Sequence, residues 1–352
     1  MNISGAPASF PTTITTTIPT TTTATLIIPP QAQLAINLRA VYIWVLVAVG
    51  LPGNAACLVT VLTMTVTTAT FYVALLAVAD TLALLVKLTY HQLATHRKTN
   101  AAVCYTWYTP HFFSSYANWV LVLICFERFF SVCFPLKKQA YFTKRKARTS
   151  AVALAVVMLI IFTPSFSFFA DWDGRACIPR EHFNQTAQKA WATVVSALYF
   201  YVPFLLMSLF TTLIIVGMHR HRRARQAIAS TGTSNPGNGG GAERSISIML
   251  VGAALVFLAL TLPTCLYHLF LYKLYDPRVL KESAQRYLFE QVVYFLADAN
   301  HAVNFFIYFV TAAKFRRCFV HLLQRLPCCP HPRAAANNGA GSSEAVRLTQ
   351  LT

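Results

Sequence analysis

The chain has 352 residues, of which 56% are hydrophobic and 11% are charged. Soluble domains carry about 25% charged residues, so this composition excludes an ordinary soluble protein and indicates a membrane protein. The net charge of +18 would also suit a nucleic-acid-binding protein, but basic loops between apolar segments favour membrane lipids and a cytoplasmic partner over nucleic acid.

The N-terminal residues 1–38 are predicted to form a disordered extracellular tail. Ten of the 14 residues at positions 12–25 are threonine, a composition that cannot bury a core and that suits O-glycosylation. Two N-glycosylation sequons are present, one at Asn2 in this tail and one at Asn184 in a later outer loop. Both lie on the predicted extracellular side.

Seven apolar segments follow the tail, each long enough to cross a bilayer. Residues 40–79 contain no charged residue, and one helix of that length would extend about 60 Å, twice the hydrocarbon thickness. Two spans must therefore lie there, with a break at residues 65–70, where β-branched and hydroxylic residues disfavour a helix. The other five segments are residues 99–126, 149–170, 190–218, 245–272 and 287–313.

These segments predict an all-α fold, a seven-transmembrane helix bundle at residues 39–312. With the N-terminus outside, 18 of the 29 Lys and Arg residues fall on the inner face, and an inner excess of basic residues is the usual orientation. The first inner loop has no basic residue, so the orientation rests on the later loops. The sequence thus predicts a multi-pass plasma-membrane protein with an extracellular N-terminus.

The residues after the seventh span predict a short amphipathic helix on the membrane surface, at residues 313–327. Its apolar residues recur at helical spacing: Phe315, Phe319, Leu322, Leu323 and Leu326. Cys328 and Cys329 follow directly and are candidates for palmitoylation, with unmodified thiols as the alternative. Residues 328–352 are predicted to form a cytoplasmic tail.

Two of the nine cysteines are placed to meet in an oxidising compartment. Cys104 lies near the outer end of the third span and Cys177 lies in the second outer loop. They are predicted to form a disulfide, and the alternative is two unrelated thiols.

A series of short motifs runs through the spans in a fixed order. They are Gly53-Asn54, Leu76-Ala77-Val78-Ala79-Asp80, Cys104, Glu127-Arg128-Phe129, Cys133-Phe134-Pro135-Leu136, Pro203, Phe257, Pro263, Asn304 and Tyr308. Over residues 40–330 the sequence resembles the rhodopsin-like (class A) G-protein-coupled receptors. This resemblance implies heterotrimeric G protein as a partner, with arrestin as a further one.

The sequence also departs from the motifs of that family. Glu127 and Phe129 replace the usual Asp and Tyr beside the switch Arg, and Thr261 and Phe305 replace a Trp in span six and a Pro in span seven. The Asn-Phe-Phe-Ile-Tyr motif of span seven, followed by Lys314-Phe315-Arg316-Arg317, resembles FMRFamide-type neuropeptide receptors and related orphan receptors.

The resemblance assigns a G-protein coupling switch to the inner end of the bundle. Glu127 is expected to hold Arg128 in the resting state, Glu243 matches a second acidic contact, and Phe129 and Tyr308 complete the switch. Pro135 and Leu136 belong to the second inner loop, which contacts the G protein in this family.

Asp80 resembles the family's sodium-site carboxylate, and Asn54, Asn300 and Asn304 are its expected polar neighbours. The family's serine partner in span three is replaced by Ala117. Sodium binding and a purely hydrogen-bonded network both remain open interpretations.

Two further charges lie inside the spans. Asp80, Leu84, Lys87 and His91 are spaced 4, 3 and 4 residues apart and share one helix face, which turns Lys87 towards span seven. Lys87 and Asp298 could neutralise each other. Alternatively, Asp298, together with Glu290, could receive a cationic ligand group such as the Arg of an amidated peptide. The remaining ligand-pocket candidates, near the outer ends of their helices, are His91, His111, Tyr199, Tyr267, His268 and Tyr294.

The expected function is therefore a receptor that converts binding of an extracellular ligand, a neuropeptide by the subfamily resemblance, into G-protein activation. No metal-ligand cluster, phosphate loop or Ser/His/Asp arrangement stands out, so neither an enzymatic activity nor a cofactor is expected apart from the Na⁺ considered at Asp80. The alternatives are a receptor for a non-peptide ligand or a constitutively active orphan receptor, and an ion or solute transporter, for which no inverted repeat is evident.

Overall fold

The computed structural model describes residues 29–96, 100–106, 108–167, 170–172, 177–179, 185–230, 240–270 and 279–325. Within these residues the protein is a helix bundle with one short antiparallel hairpin, formed by β1 (Ala170–Trp172) and β2 (Cys177–Pro179). The helices are α1 (Pro30–Leu62), α2 (Thr68–Thr95), α3 (Ala101–Tyr105), α4 (Thr109–Cys133), α5 (Pro135–Tyr141), α6 (Lys144–Ser167), α7 (Gln185–Ser196), α8 (Val202–Ser230), α9 (Gly240–Leu269), α10 (Leu280–Thr311) and α11 (Ala313–Arg325). A π-helical turn, Ala197–Tyr201, joins α7 to α8.

Six helical segments among the described residues are long and apolar enough to cross a membrane. They are Pro30–Leu62, Thr68–Thr95, Ala101–Cys133, Lys144–Thr163, Thr193–Ala224 and Ile246–Leu269. The seventh helix of the bundle, α10, packs along α1 and α9. It is less apolar because it carries Lys281, Glu282, Arg286, Glu290 and Asp298. This arrangement confirms the predicted helical bundle.

The break between the first two spans lies where the sequence predicted it. α1 ends at Leu62 and α2 begins at Thr68, and Thr67 caps the new helix. The Thr67 hydroxyl accepts from the Thr70 backbone N–H at 3.2 Å, and the Thr70 hydroxyl accepts from the Thr67 N–H at 2.7 Å. This reciprocal capping box satisfies N–H groups that the first turn of a helix leaves without partners.

Two predicted boundaries were wrong at the outer end of the bundle. α1 begins at Pro30, so residues 30–38, which the sequence analysis assigned to the tail, are helical, and α10 begins at Leu280 rather than at residue 287. Both predictions used charged residues as the ends of the spans, whereas a helix can continue past the apolar region. Proline is favoured at a first helical position. Next to the two extensions, the Arg39 guanidinium of α1 donates to the Tyr287 hydroxyl of α10 at 3.4 Å.

α1 and α10 approach each other closely because α1 carries glycine at their crossing. A Cβ atom at Gly50 would lie 3.0 Å from the Cβ atom of Ala302, and one at Gly53 would lie 3.4 Å from the Cβ atom of Phe305. Small residues allow such contacts between membrane helices. The close approach brings Asn54 of α1 to the backbone of α10.

We predict that Thr67→Ala lowers the free energy of unfolding by about 1 kcal/mol, because the first turn of α2 loses its side-chain cap. The purified protein should then show a lower unfolding temperature. Thr65→Ala is the matched control, since Thr65 is exposed and gives Thr70 only its backbone carbonyl, at 3.1 Å. Equal losses of stability in the two variants would contradict the role assigned to the capping box.

Candidate functional site

The inner site is a buried ion pair at the end of α4, formed as predicted by Glu127 and Arg128. The Arg128 guanidinium binds Glu127 Oε2, and the two residues are 2% and 0% exposed. The other carboxylate oxygen, Oε1, accepts from the Thr68 hydroxyl of α2 at 2.9 Å. The Ser131 hydroxyl donates to the Glu127 backbone carbonyl at 2.9 Å. Glu127 is thus held by its own helix and by α2.

Within the part of the chain that the structure describes, no contact with this pair is recorded for the other residues of the predicted switch. Tyr308 is buried, and its hydroxyl has no hydrogen-bond partner within the described residues. Phe129 packs against the Phe134 ring at 5.7 Å and the Phe210 ring at 5.8 Å, so it belongs to an aromatic cluster and not to the ion pair. Glu243 lies in α9, but its side chain is outside the part that the structure describes.

The second inner loop begins with α5. Pro135 occupies the first position of this short helix, where its fixed φ is favourable and no N–H is needed. Leu136 follows and is 92% exposed. An apolar side chain so exposed beside the inner site is available to a partner on that face.

The central site surrounds Asp80 of α2, and its composition differs from the prediction. Asp80 Oδ1 lies 2.8 Å from His301 Nδ1, and Oδ2 accepts from Asn304 Nδ2 at 2.8 Å. Asn54 donates instead to the His301 backbone carbonyl at 2.9 Å. Asn300 donates to the hydroxyl of Thr261, at 3.1 Å. Of the three predicted partners, only Asn304 contacts the carboxylate, because Asn54 and Asn300 pair elsewhere.

His301 was not among the residues predicted for this site. Its only signal was its spacing, three residues before Asn304, which places both residues on the same face of α10. Asp80 and the His301 side chain are each about 2% exposed or less. The imidazole is therefore a buried partner of the carboxylate.

The outer site is an ion pair between spans two and seven. Lys87 Nζ binds Asp298 Oδ1, and the two side chains are 11% and 9% exposed. Lys87 Nζ also lies 3.4 Å from the Tyr199 hydroxyl, and the Tyr199 ring packs edge-on against His111 at 5.8 Å. The structure thus has the mutual neutralisation that the sequence analysis considered, with two aromatic residues of the predicted pocket beside it.

The other pocket candidates form a second group around α9 and the outer half of α10. His268 stacks on Phe200 at 5.7 Å and lies 6.0 Å from the Tyr294 ring. Its Nε2 atom has no hydrogen-bond partner among the described residues. The Tyr267 hydroxyl donates to the Arg286 carbonyl at 3.4 Å. Glu290 lies beside Tyr294 of this group. His91 instead packs against Tyr42 of α1, with 6.4 Å between the ring centroids.

The π-helical turn that carries Tyr199 is held by span three. A π-helical turn leaves carbonyl groups without their usual α-helical partners, and such turns are frequent at functional sites. Here Trp119 Nε1 donates to the Leu198 carbonyl at 2.9 Å, and Asn118 Nδ2 donates to the Tyr199 carbonyl at 3.3 Å. These bonds fix the backbone that presents the Tyr199 hydroxyl to Lys87.

Several predicted modification sites lie at the limits of the described residues. Cys104 is fully buried in α3 and is not one of the free cysteines. α3 packs against β1, and the backbone of Cys177 begins the paired strand β2. Asn2, Asn184, Cys328 and Cys329 lie outside the described residues.

We predict that Trp119→Phe lowers the unfolding temperature of the purified protein, because one hydrogen bond worth about 1 kcal/mol is lost at the π-helical turn. Trp44→Phe is the matched control. Trp44 lies in α1 with 50% of its surface exposed, so the same truncation there should have a smaller effect. A larger loss of stability at Trp44 would contradict this role of Trp119.

The bundle and its buried polar sites can be compared with known proteins. The chain matches the family model "7 transmembrane receptor (rhodopsin family)" over residues 53–308. It is also similar to a probable G-protein coupled receptor of Caenorhabditis elegans, with 20% identity over 303 residues that cover 80% of this chain and 67% of the relative. Neither comparison tests the resemblance to FMRFamide-type receptors. Since the family model covers more than half of the chain, the protein belongs to the rhodopsin family of seven-transmembrane receptors.

Proposed function

We propose that this receptor converts binding of an extracellular peptide into activation of a heterotrimeric G protein, at the plasma membrane and with its N-terminus outside. The observation that carries the proposal is the buried Glu127–Arg128 pair at the inner end of α4. Burying two charges costs several kcal/mol in desolvation, and a buried pair often contributes little net stability. A pair at this position is therefore better explained by a switch than by stability.

In the resting state the inner site is closed. Arg128 is 2% exposed and cannot reach a partner while Glu127 binds it. Release requires Arg128 to leave Glu127 Oε2, and Glu127 keeps a partner at Oε1 in the Thr68 hydroxyl of α2. The Tyr308 hydroxyl, buried without a partner in the described residues, is a group that a second arrangement of the bundle can satisfy. Exposed Leu136 supplies an apolar contact for the G protein, and arrestin would use the same face.

The outer site favours a ligand with a cationic group. A cation that binds Asp298 displaces Lys87, and an unpaired buried charge would cost about 3–5 kcal/mol. Lys87 has a second partner nearby, because the Tyr199 hydroxyl lies 3.4 Å from its Nζ. The carboxylate can therefore change partners at a reduced cost. An Arg side chain of an amidated peptide fits this exchange, since its planar guanidinium binds a carboxylate through two hydrogen bonds.

Other classes of ligand would use the residues of the outer site differently. A non-peptide ligand with a single cationic group would use Asp298 alone, whereas a peptide would also reach His268, whose Nε2 is unpartnered among the described residues. A constitutively active receptor would need no exchange at the outer site. For an ion or solute transporter the buried charges would form a path, but here each is bound to a fixed partner.

The proposal also includes a disulfide bond, N-glycosylation and palmitoylation. A disulfide between Cys104 and Cys177 would tie the β1–β2 hairpin to the start of span three, where α3 already packs against β1. N-glycans at Asn2 and Asn184 and palmitoyl groups at Cys328 and Cys329 would then mark the extracellular and cytoplasmic sides.

We predict that Glu127→Gln raises ligand-independent nucleotide exchange on purified G protein by about tenfold, which corresponds to about 1.4 kcal/mol removed from the resting state. Arg128→Ala should abolish exchange in the same assay. Glu282→Gln, the same chemical change in the first turn of α10, is the control and should leave basal exchange unaltered. Undiminished exchange by Arg128→Ala at equal surface expression would contradict the proposal.

We also predict that Asp298→Asn weakens an Arg-bearing amidated peptide more than its Arg-free analogue, because only the former loses its charged partner. The measurement is the peptide concentration that gives half-maximal G-protein activation by the wild-type and variant receptors. The expected excess loss is at least about tenfold, or about 1.4 kcal/mol. Equal losses for the two peptides would favour a purely structural Lys87–Asp298 pair.

A further inference from the structure

We infer that the His301 imidazole takes the place of a sodium ion beside Asp80, so that the central site binds no Na⁺. Sodium was the ion that the family resemblance suggested for this carboxylate. The residues that the structure brings together there do not fit it. This inference concerns the centre of the bundle and does not depend on the identity of the ligand.

Both oxygens of the Asp80 carboxylate are already bound by side chains of α10. His301 Nδ1 lies 2.8 Å from Oδ1, and Asn304 Nδ2 lies 2.8 Å from Oδ2. One hydrogen lies between Nδ1 and Oδ1, whichever atom carries it, so the lone pair directed there is not open to a cation. At Oδ2 the Asn304 amide presents hydrogens, which repel a cation.

A hard cation needs several oxygen ligands. A small cavity beside Asp80 is lined by Ala117, Asn300, His301 and Asn304 among others. Besides Asp80, the side chains that line the cavity carry no second carboxylate and no hydroxyl, and their other oxygens are the amide oxygens of Asn118, Asn300 and Asn304. Ala117 has no side-chain oxygen, and Asn304 turns its nitrogen towards the carboxylate. The Asn300 amide nitrogen is bound to the Thr261 hydroxyl at 3.1 Å, so this side chain is held by α9.

His301 also connects neighbouring helices, as a bound ion could do. A buried carboxylate needs a hydrogen-bond partner, and His301 Nδ1 provides one for Asp80 Oδ1 at 2.8 Å. In addition, the His301 backbone carbonyl accepts from Asn54 of α1 at 2.9 Å. One residue of α10 thereby joins α1 and α2.

The first experiment compares the sodium response of the purified full-length receptor with that of Asp80→Asn. Unfolding is followed with a thiol-reactive dye, which reports exposure of the buried free cysteines Cys57, Cys125 and Cys265. Each protein is heated in sodium chloride and in choline chloride at equal concentration. An ion that binds only the folded state raises the unfolding temperature. We expect the same sodium response in both proteins. A larger rise in the wild type than in Asp80→Asn would overturn the inference.

The second experiment installs the missing oxygens. His301→Ser combined with Ala117→Ser removes the imidazole and adds two hydroxyl groups beside Asp80. We expect this double variant to gain a rise in unfolding temperature of about 2 °C or more in sodium over choline. His301→Ala alone is the control and should gain less. A folded double variant with no sodium response would overturn the role given to His301, and if it does not fold, the wild-type comparison decides alone.

Discussion

Charges inside a lipid bilayer must be paired, and this requirement organises the bundle from its outer to its inner end. Within the described residues, buried pairs lie at three depths: Lys87 with Asp298, Asp80 with His301, and Glu127 with Arg128. α2 contributes to all three, since the Thr68 hydroxyl also binds the inner carboxylate. Spans two and seven are therefore joined at two levels, and span two meets span three at the third.

Much of this arrangement could be predicted from sequence patterns that have a known physical cause. The spans could be predicted because a bilayer demands long apolar helices, and the break before Thr68 could be predicted from hydroxylic residues that also cap helices. The Lys87–Asp298 contact followed from helical spacing together with the cost of an unpaired charge. The inner pair was expected from the family resemblance and not from helical spacing, because neighbouring residues of a helix do not face each other.

The features that were missed depend on tertiary contacts. His301 and Asn300 are consecutive residues of α10, and only the packing of α10 against α2 decides that His301 faces Asp80. The π-helical turn arises where bonds from Asn118 and Trp119 replace those of a regular helix. The ends of α1 and α10 were missed because a charged residue such as Arg39 ends an apolar segment without ending a helix.

The five-residue link between α1 and α2, residues 63–67, bears on how the chain enters the membrane. Thr67 is bound to α2 through the capping box, and the N–H groups of Thr63 and Met64 bind carbonyls of α1, so the link is tied to both helices. α1 and α2 therefore form a helical hairpin. The link between them has no basic residue, and the distribution of Lys and Arg among the loops is what usually orients a membrane protein. An orientation signal for this hairpin would then have to come from the basic loops that follow it in the chain.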